Sequence, residues 1–269
     1  MPELPEVETT LRGIRPHLQG RTLRQAVVRE RRLRWPVSES LLSLRDSKIM
    51  AVERRAKYLL LTLESGQLLI HLGMSGTLRV LEAATPLRKH DHLDLVLDND
   101  TVLRFNDPRR FGTVLLSPPG EPHGLLARLG PEPLADDFDG DWLYRRSRAR
   151  KVAVKNFIMD NATVVGVGNI YAQESLFDAG IHPSRPAGRI SRERYAVLAA
   201  AIKAVLHRAI AAGGTTLRDF TRVDGQPGYF AQSLSVYGRA GQPCPRCGAA
   251  LKADRHGQRS TVYCAQCQR

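Results

Sequence analysis

The clearest chemistry in this sequence lies near its end. All four cysteines fall in the last 26 residues, as Cys244-x2-Cys247, sixteen residues, then Cys264-x2-Cys267. Thiols paired at that spacing fit a four-thiolate zinc site. Closed tetrahedral sulfur coordination leaves no open position, so the one zinc ion it implies is structural rather than catalytic. A module this small cannot fold by burial alone, and the metal supplies its stability. The stretch between the cysteine pairs carries Lys252, Arg255, His256 and Arg259, with Asp254 its only acid. A basic tip on a rigid hairpin suits a DNA groove.

The other end is unusual in a different way. The chain opens MPELPEVET, with Pro2 followed by Glu3, Glu6 and Glu8. Part of this is ordinary helix capping: Pro5 suits a first turn, and acids suit the positive end of the helix dipole. Pro2 is not explained that way. If Met1 is removed, Pro2 becomes a secondary α-amine, of a class that titrates near 7.7–8.0 and is partly neutral at physiological pH. Such an amine can attack an electrophilic sugar carbon and form an iminium, an electron sink. Glu3 or Glu6 would stand beside it as acid or base.

Three further stretches point to phosphates and bases. Residues 145–155, RRSRARKVAVK, hold six cations and no acid. GVGN at 166–169 places glycines before a helix start, where bare N–H groups bind anions. It is not a dinucleotide fingerprint, because position 171 is tyrosine. NDPRRFG at 106–112 reads as a tight turn presenting Arg109, Arg110 and Phe111: either a core phenylalanine between surface arginines, or a wedge for a base stack. Met74, in the loop GMSG, is placed to join it. His90-Asp91-His92 is a poor metal site, since on a strand residues 90 and 92 face one way and 91 the other. A phosphate contact by His90 or a structural histidine is the expectation.

These groups need a scaffold. Val7, Leu11, Ile14 and Leu18 mark one face of a helix over 6–18. From about 22 to 117 the pattern becomes short strands. YLLLTL-ESGQ-LLIHL reads as one hairpin and HLDLVL-DND-TVLRF as another, which predicts a sandwich or barrel. SPPGEPHG and GPEP punctuate the chain and place a linker near 130–135. Beyond it the pattern is helical: one helix from Gly168-Asn169 to Gly180, and a longer one capped by Ser191 and ended by Gly213-Gly214. The expected divisions are 1–132, 133–235 and 236–269.

Composition agrees with a nucleic-acid partner. Across 269 residues, 40 Lys+Arg stand against 27 Asp+Glu, a formal net charge of +13, and that excess suits a polyanion. Hydrophobic residues make up 42%, enough for real cores. Met1 is followed by acids rather than a signal peptide, and the apolar runs are too short to span a bilayer. The expectation is a cytoplasmic, nucleoid-associated bacterial protein with no membrane or nucleotide cofactor.

The blocks MPELPEVET, RRAKYLL, HLGMSG, KHDH, DPRRFG, LGPEPL, MDN-VVGVGNIYA-ES-AGIHP, GGTTLRDF, GQPGYFAQ, VYGR and the four-cysteine tail resemble the bacterial formamidopyrimidine-DNA glycosylase family over essentially the whole chain. The resemblance implies an α+β protein: an N-terminal β-sandwich with an initial helix, then a helix–two-turns–helix domain and a zinc finger. It implies a monomer that holds damaged double-stranded DNA across a cleft. It further implies removal of oxidised purines, chiefly 8-oxoguanine and formamidopyrimidines, and strand nicking by β,δ-elimination. By matching motif, Pro2 is the nucleophile toward C1′ and Glu3 the general acid/base. Lys57 is the proton donor associated with β-elimination. Arg259 is associated with δ-elimination and phosphate binding. His90, Arg109 and Arg150 fall at DNA contacts, Lys155 and Asn169 at phosphate contacts, and Met74, Arg109 and Phe111 at the void left by the flipped nucleotide. Cys244, Cys247, Cys264 and Cys267 are the zinc ligands. Arg218 stands where some members have lysine, ahead of a loop at 218–230 that covers the extruded base. Two other readings stay open: an endonuclease VIII-like enzyme preferring oxidised pyrimidines, whose opening MPEGPE differs from MPELPE, and a non-catalytic zinc-dependent binder of damaged DNA.

Overall fold

The computed structural model describes residues 2–215 and 233–269. Arg218 and the 218–230 segment lie outside the described residues. The chain divides into two compact units, residues 2–127 with 212–215, and 128–211 with 233–269. The cysteine module therefore belongs to the same unit as the helices before it, and a short stretch beyond residue 211 returns to the first unit.

In the first unit, α1 (Leu4–Leu18) buries Leu4, Val7, Leu11, Ile14 and Leu18 along one stripe, as its spacing predicts. β1 (Thr22–Val28), a single turn α2 (Glu39–Leu42) and β2 (Arg45–Arg55) follow. β3 (Tyr58–Leu63), β4 (Gly66–His71), β5 (Thr77–Glu82), β6 (Asp91–Leu97), β7 (Thr101–Asn106) and β8 (Thr113–Ser117) complete the unit. The strands pair antiparallel in the order β5-β7-β6-β1-β2-β3-β4-β8. β2 is the corner. Its first residues pair with β1 and those from Ile49 onward with β3, with a register shift between Ile49 and Ala51. A bulged strand that changes partners turns one ladder into two layers. Leu23, Leu93, Leu95, Leu103 and Phe105 from one layer share a core with Leu59, Leu61, Leu68, Ile70 and Val114 from the other, together with Val7, Leu11, Ile14 and Leu18 of α1. This is the sandwich with an initial helix that the sequence predicts.

The alternating pattern of HLDLVL conceals an ionic layer. Asp94 is 3% exposed and accepts from Arg104 Nε and Nη2 at 2.8 and 3.0 Å and from Arg29 at 2.6 Å. Asp91 accepts from Arg79 at 2.6 Å. Burial acts to raise the Asp94 pKa, but bonds from Arg29 and Arg104 carry it below the ordinary carboxylate range.

The second unit holds α3 (Gly140–Ser147), α4 (Val154–Met159), α5 (Asn169–Asp178), α6 (Arg192–Ala211) and the hairpin β9 (Lys252–His256) with β10 (Arg259–Tyr263). α5 is buried on all sides from Ile170 to Phe177, so its polar members need partners. Glu174 accepts the N–H groups of Ser235, Val236 and Tyr237 at 2.8, 3.0 and 2.9 Å. Ser191 Oγ accepts from the N–H of Arg194 at 3.3 Å, capping α6, and Gly213 and Gly214 beyond it take positive φ. The β9–β10 turn has Gly257 and Gln258 both left-handed, φ 56° and 61°, the pattern of a two-residue type I′ hairpin.

Candidate active site

The chain start is fixed by reciprocal capping. Glu3 is the N-cap of α1, and Glu3 and Glu6 form a capping box, in which the Glu3 N–H donates to Glu6 Oε2 at 2.7 Å. The other Glu6 oxygen accepts the N–H of Thr215 at 2.8 Å. Pro2, Glu3 and Glu6 are all buried. Glu6, a candidate acid or base by sequence, is thus an anchor with both oxygens engaged, and Glu3 is the carboxylate next to Pro2.

Lys57 sits in the two-residue turn between β2 and β3, beside Ala56 at φ 55°. α1 holds that turn. Arg54 donates to Glu8 on α1 at 2.9 Å and to the Ala56 carbonyl at 2.9 Å. Burial acts to raise the Glu8 pKa, yet hydrogen bonds from Arg54 and Arg12, with their charges, lower it overall. Pairing across β3–β4 sets His71 opposite Tyr58, with rings 5.0 Å apart. His71 Nδ1 accepts from the Gly73 N–H at 3.0 Å, which leaves the proton of the neutral ring on Nε2. Burial, then the charges of Lys57 and Arg34, push the His71 pKa down to about 4. A neutral imidazole donor beside Lys57 was not singled out by sequence; its signal was the position of HLGMSG at the end of a strand.

The wedge candidates form one surface feature. Phe111 is 42% exposed, with the Arg109 guanidinium 5.0 Å from its ring centroid. Met74 is half-buried in the neighbouring turn. His90 is left-handed at φ 72° and lies just before β6, so the strand-face argument does not apply to it. Asp91 is taken by Arg79, and His92 Nε2 lies 2.8 Å from the Asp107 carbonyl. Among the described residues these three form no metal cluster.

In the second unit, Arg150 is exposed after α3 and Asn169 opens α5. Lys155 departs from expectation. It is 0% exposed, and its Nζ donates to the Ser260 carbonyl at 3.1 Å and to Thr261 Oγ1 at 2.6 Å. Its ammonium is buried and ties α4 to the hairpin, so the structure places it inside the fold rather than on the surface. Asn169 Nδ2 and Gln173 Nε2 reach the same Ser260 carbonyl at 3.2 and 3.1 Å, and Gln173 Oε1 accepts the Val262 N–H at 2.6 Å. Three side chains from α4 and α5 thus grip the strand immediately after Arg259, which is exposed at the hairpin tip.

The four thiols lie within 4.8 Å of one another, with Cys244–Cys267 at 3.9 Å and Cys247–Cys264 at 3.5 Å. Tetrahedral ligands at the usual Zn–S length of 2.3 Å stand about 3.8 Å apart, so the cluster fits that ion.

Residues 1–114 match the formamidopyrimidine-DNA glycosylase N-terminal domain, 129–221 the formamidopyrimidine-DNA glycosylase H2TH domain, and 241–269 the zinc finger found in FPG and IleRS. The chain belongs to the formamidopyrimidine-DNA glycosylase family. It is 75% identical to the formamidopyrimidine-DNA glycosylase of Alcanivorax borkumensis and 61% identical to that of Stutzerimonas stutzeri, each over the full length of both proteins. Among solved structures, the MutM (FPG) protein of Thermus thermophilus is 41% identical, with a TM-score of 0.89 over 99% of this chain and 98% of that one. A Lactococcus lactis FPG mutant in complex with Fapy-dG containing DNA is 31% identical, with a TM-score of 0.92 over all of both chains. The protein is therefore a DNA glycosylase of base excision repair, and its finger carries one structural zinc ion. Among the described residues of the glycosylase, no helix is long and apolar enough to cross a membrane.

Proposed function

We propose that this glycosylase removes oxidised purines, 8-oxoguanine and formamidopyrimidines, from duplex DNA and then nicks the abasic strand. One observation carries the reading: Pro2 stands immediately before the Glu3–Glu6 capping box, so the backbone that bears it is set by helix α1. With Met1 removed, the Pro2 nitrogen attacks C1′ and the base departs with the glycosidic electron pair. Glu3 handles the proton transfers of base loss and ring opening. The resulting iminium acidifies C2′, and loss of that proton expels the 3′-phosphate, with Lys57 as proton donor. A second elimination, aided by Arg259, expels the 5′-phosphate.

The lesion must first leave the stack, at a cost of a few kcal/mol. Met74, Arg109 and Phe111 fill the void, and His90, Arg150 and Asn169 hold the strand. The proposed assignments divide the chain into a catalytic sandwich, 1–132, a helical DNA-binding part, 133–235, and the finger, 236–269. The enzyme acts as a monomer in the bacterial cytoplasm. Relatives crystallised with Fapy-dG containing DNA and with an abasic site containing DNA support this substrate class.

Borohydride reduces an iminium to a stable amine. It should therefore trap the enzyme covalently on 8-oxoguanine duplex, and a retained N-terminal tag should abolish the adduct. A tagged protein that traps as well as the free one overturns the assignment of Pro2. Faster cutting of thymine glycol than of 8-oxoguanine overturns the substrate class.

A further inference from the structure

Asp107 is 0% exposed, and no cation bridges it among the described residues. A buried carboxylate without a counter-charge is costly unless donors surround it. Here they do. Oδ1 accepts the Ser75 hydroxyl at 2.7 Å and the Arg109 N–H at 3.3 Å, and Oδ2 accepts the Gly112 N–H at 2.8 Å. Ser75 Oγ in turn accepts the same Arg109 N–H at 3.2 Å. The Asp107 backbone is used as fully. Its N–H donates to the His90 carbonyl at 3.1 Å, and its carbonyl accepts from Arg110 N–H at 3.2 Å. It also lies 2.8 Å from His92 Nε2. His90 and Arg110 both have positive φ, 72° and 56°, conformations a non-glycine residue holds only where neighbours fix them.

Three loops thus meet at one residue, two of them at its side chain and the third at its backbone. The glycines show how closely. A Cβ on Gly73 would come within 2.4 Å of the Phe111 carbonyl carbon, and one on Gly112 within 2.5 Å of Phe105 and 3.0 Å of Asp107 Oδ2. The loop bearing Met74 and the turn bearing Arg109 and Phe111 are in backbone contact.

We propose that Asp107 is the positioning residue of the wedge: it welds these loops into one blade so that Met74, Arg109 and Phe111 enter the base stack together. The inference rests on the wedge reading given above. It deepens that reading by naming a residue that never touches DNA. Aspartate suits the place because both oxygens face donors. In Asp107→Asn an amide N–H must confront either the Gly112 N–H or the Arg109 N–H.

The test uses a duplex with a tetrahydrofuran abasic analogue and 2-aminopurine beside it, whose emission rises when the stack opens. Binding is followed separately by anisotropy, so emission is read per bound complex. Asp107→Asn and the milder Ser75→Ala should both still bind, with the emission rise cut by about half or more, because insertion is what opens the step. Phe111→Ala is the control and should lose the rise as well. If Phe111→Ala loses it while both other variants keep the full wild-type rise, the assignment of Asp107 is overturned alone. If Phe111→Ala also keeps it, the wedge reading falls and takes the inference with it. If the variants lose binding in proportion to emission, Asp107 is a fold residue only, and the proposal is wrong.

Discussion

The residues of this site differ in how much charge the fold allows them. His71 is held neutral, its pKa down at about 4 against an ordinary 6.5, by burial and by Lys57 and Arg34. The folded ring refuses a proton that the unfolded chain accepts. Its contribution to stability is therefore complete above pH about 6.5 and is lost as pH falls toward about 4, at most about 3 kcal/mol. Unfolding free energy measured between pH 4 and 7 should fall more steeply in wild type than in His71→Gln; parallel curves would rule the effect out. Pro2, Glu3 and Lys57 stand out in the sequence as candidates because short motifs carry them. Glu6 and Asp107 were not legible as anchors, because their partners, Thr215 and Ser75, lie 209 and 32 positions away. No local pattern distinguishes a carboxylate that does chemistry from one that ties two loops.

Elements follow the sequence where periodicity rules them. α1, the two hairpins, α5 and α6 fall where spacing and caps place them. The failures come where a long side chain is buried. RRSRARKVAVK reads as one basic run, yet Lys155 at its end is interior, because α4 turns it under the β9–β10 hairpin. Replacing it by methionine keeps the volume but removes a donor from Thr261 and one of three from Ser260. Stability should drop by about 1–3 kcal/mol, and backbone amides of β9 and β10 should exchange faster. Unchanged exchange would show that Asn169 and Gln173 suffice. A type I′ turn leaves Arg259 little local freedom, so α4 and α5 aim the tip through β10.

Over the whole chain, charge and metal act at different ranges. The excess that gives +13 favours phosphate contacts and counterion release, so affinity for duplex should fall linearly in log–log terms with salt. Replacing Arg150 should shallow that slope by about one contact. A slope that does not change assigns Arg150 elsewhere. Zinc acts only on the finger, whose buried cluster is small: Phe177, Val236, Cys244, Leu251, Val262 and Cys264. One more feature bears on the life of the protein before it is complete. The carboxylate of Glu6 meets Thr215 across 209 residues. At 5–20 residues per second, a ribosome takes roughly 10–40 s to supply that partner after Glu6 has emerged. Until then the residues around Pro2 lack one of their fastenings. A polypeptide abandoned in mid-synthesis, or clipped after Ala211, therefore carries its first residues without the Thr215 contact that holds Glu6 in the complete fold.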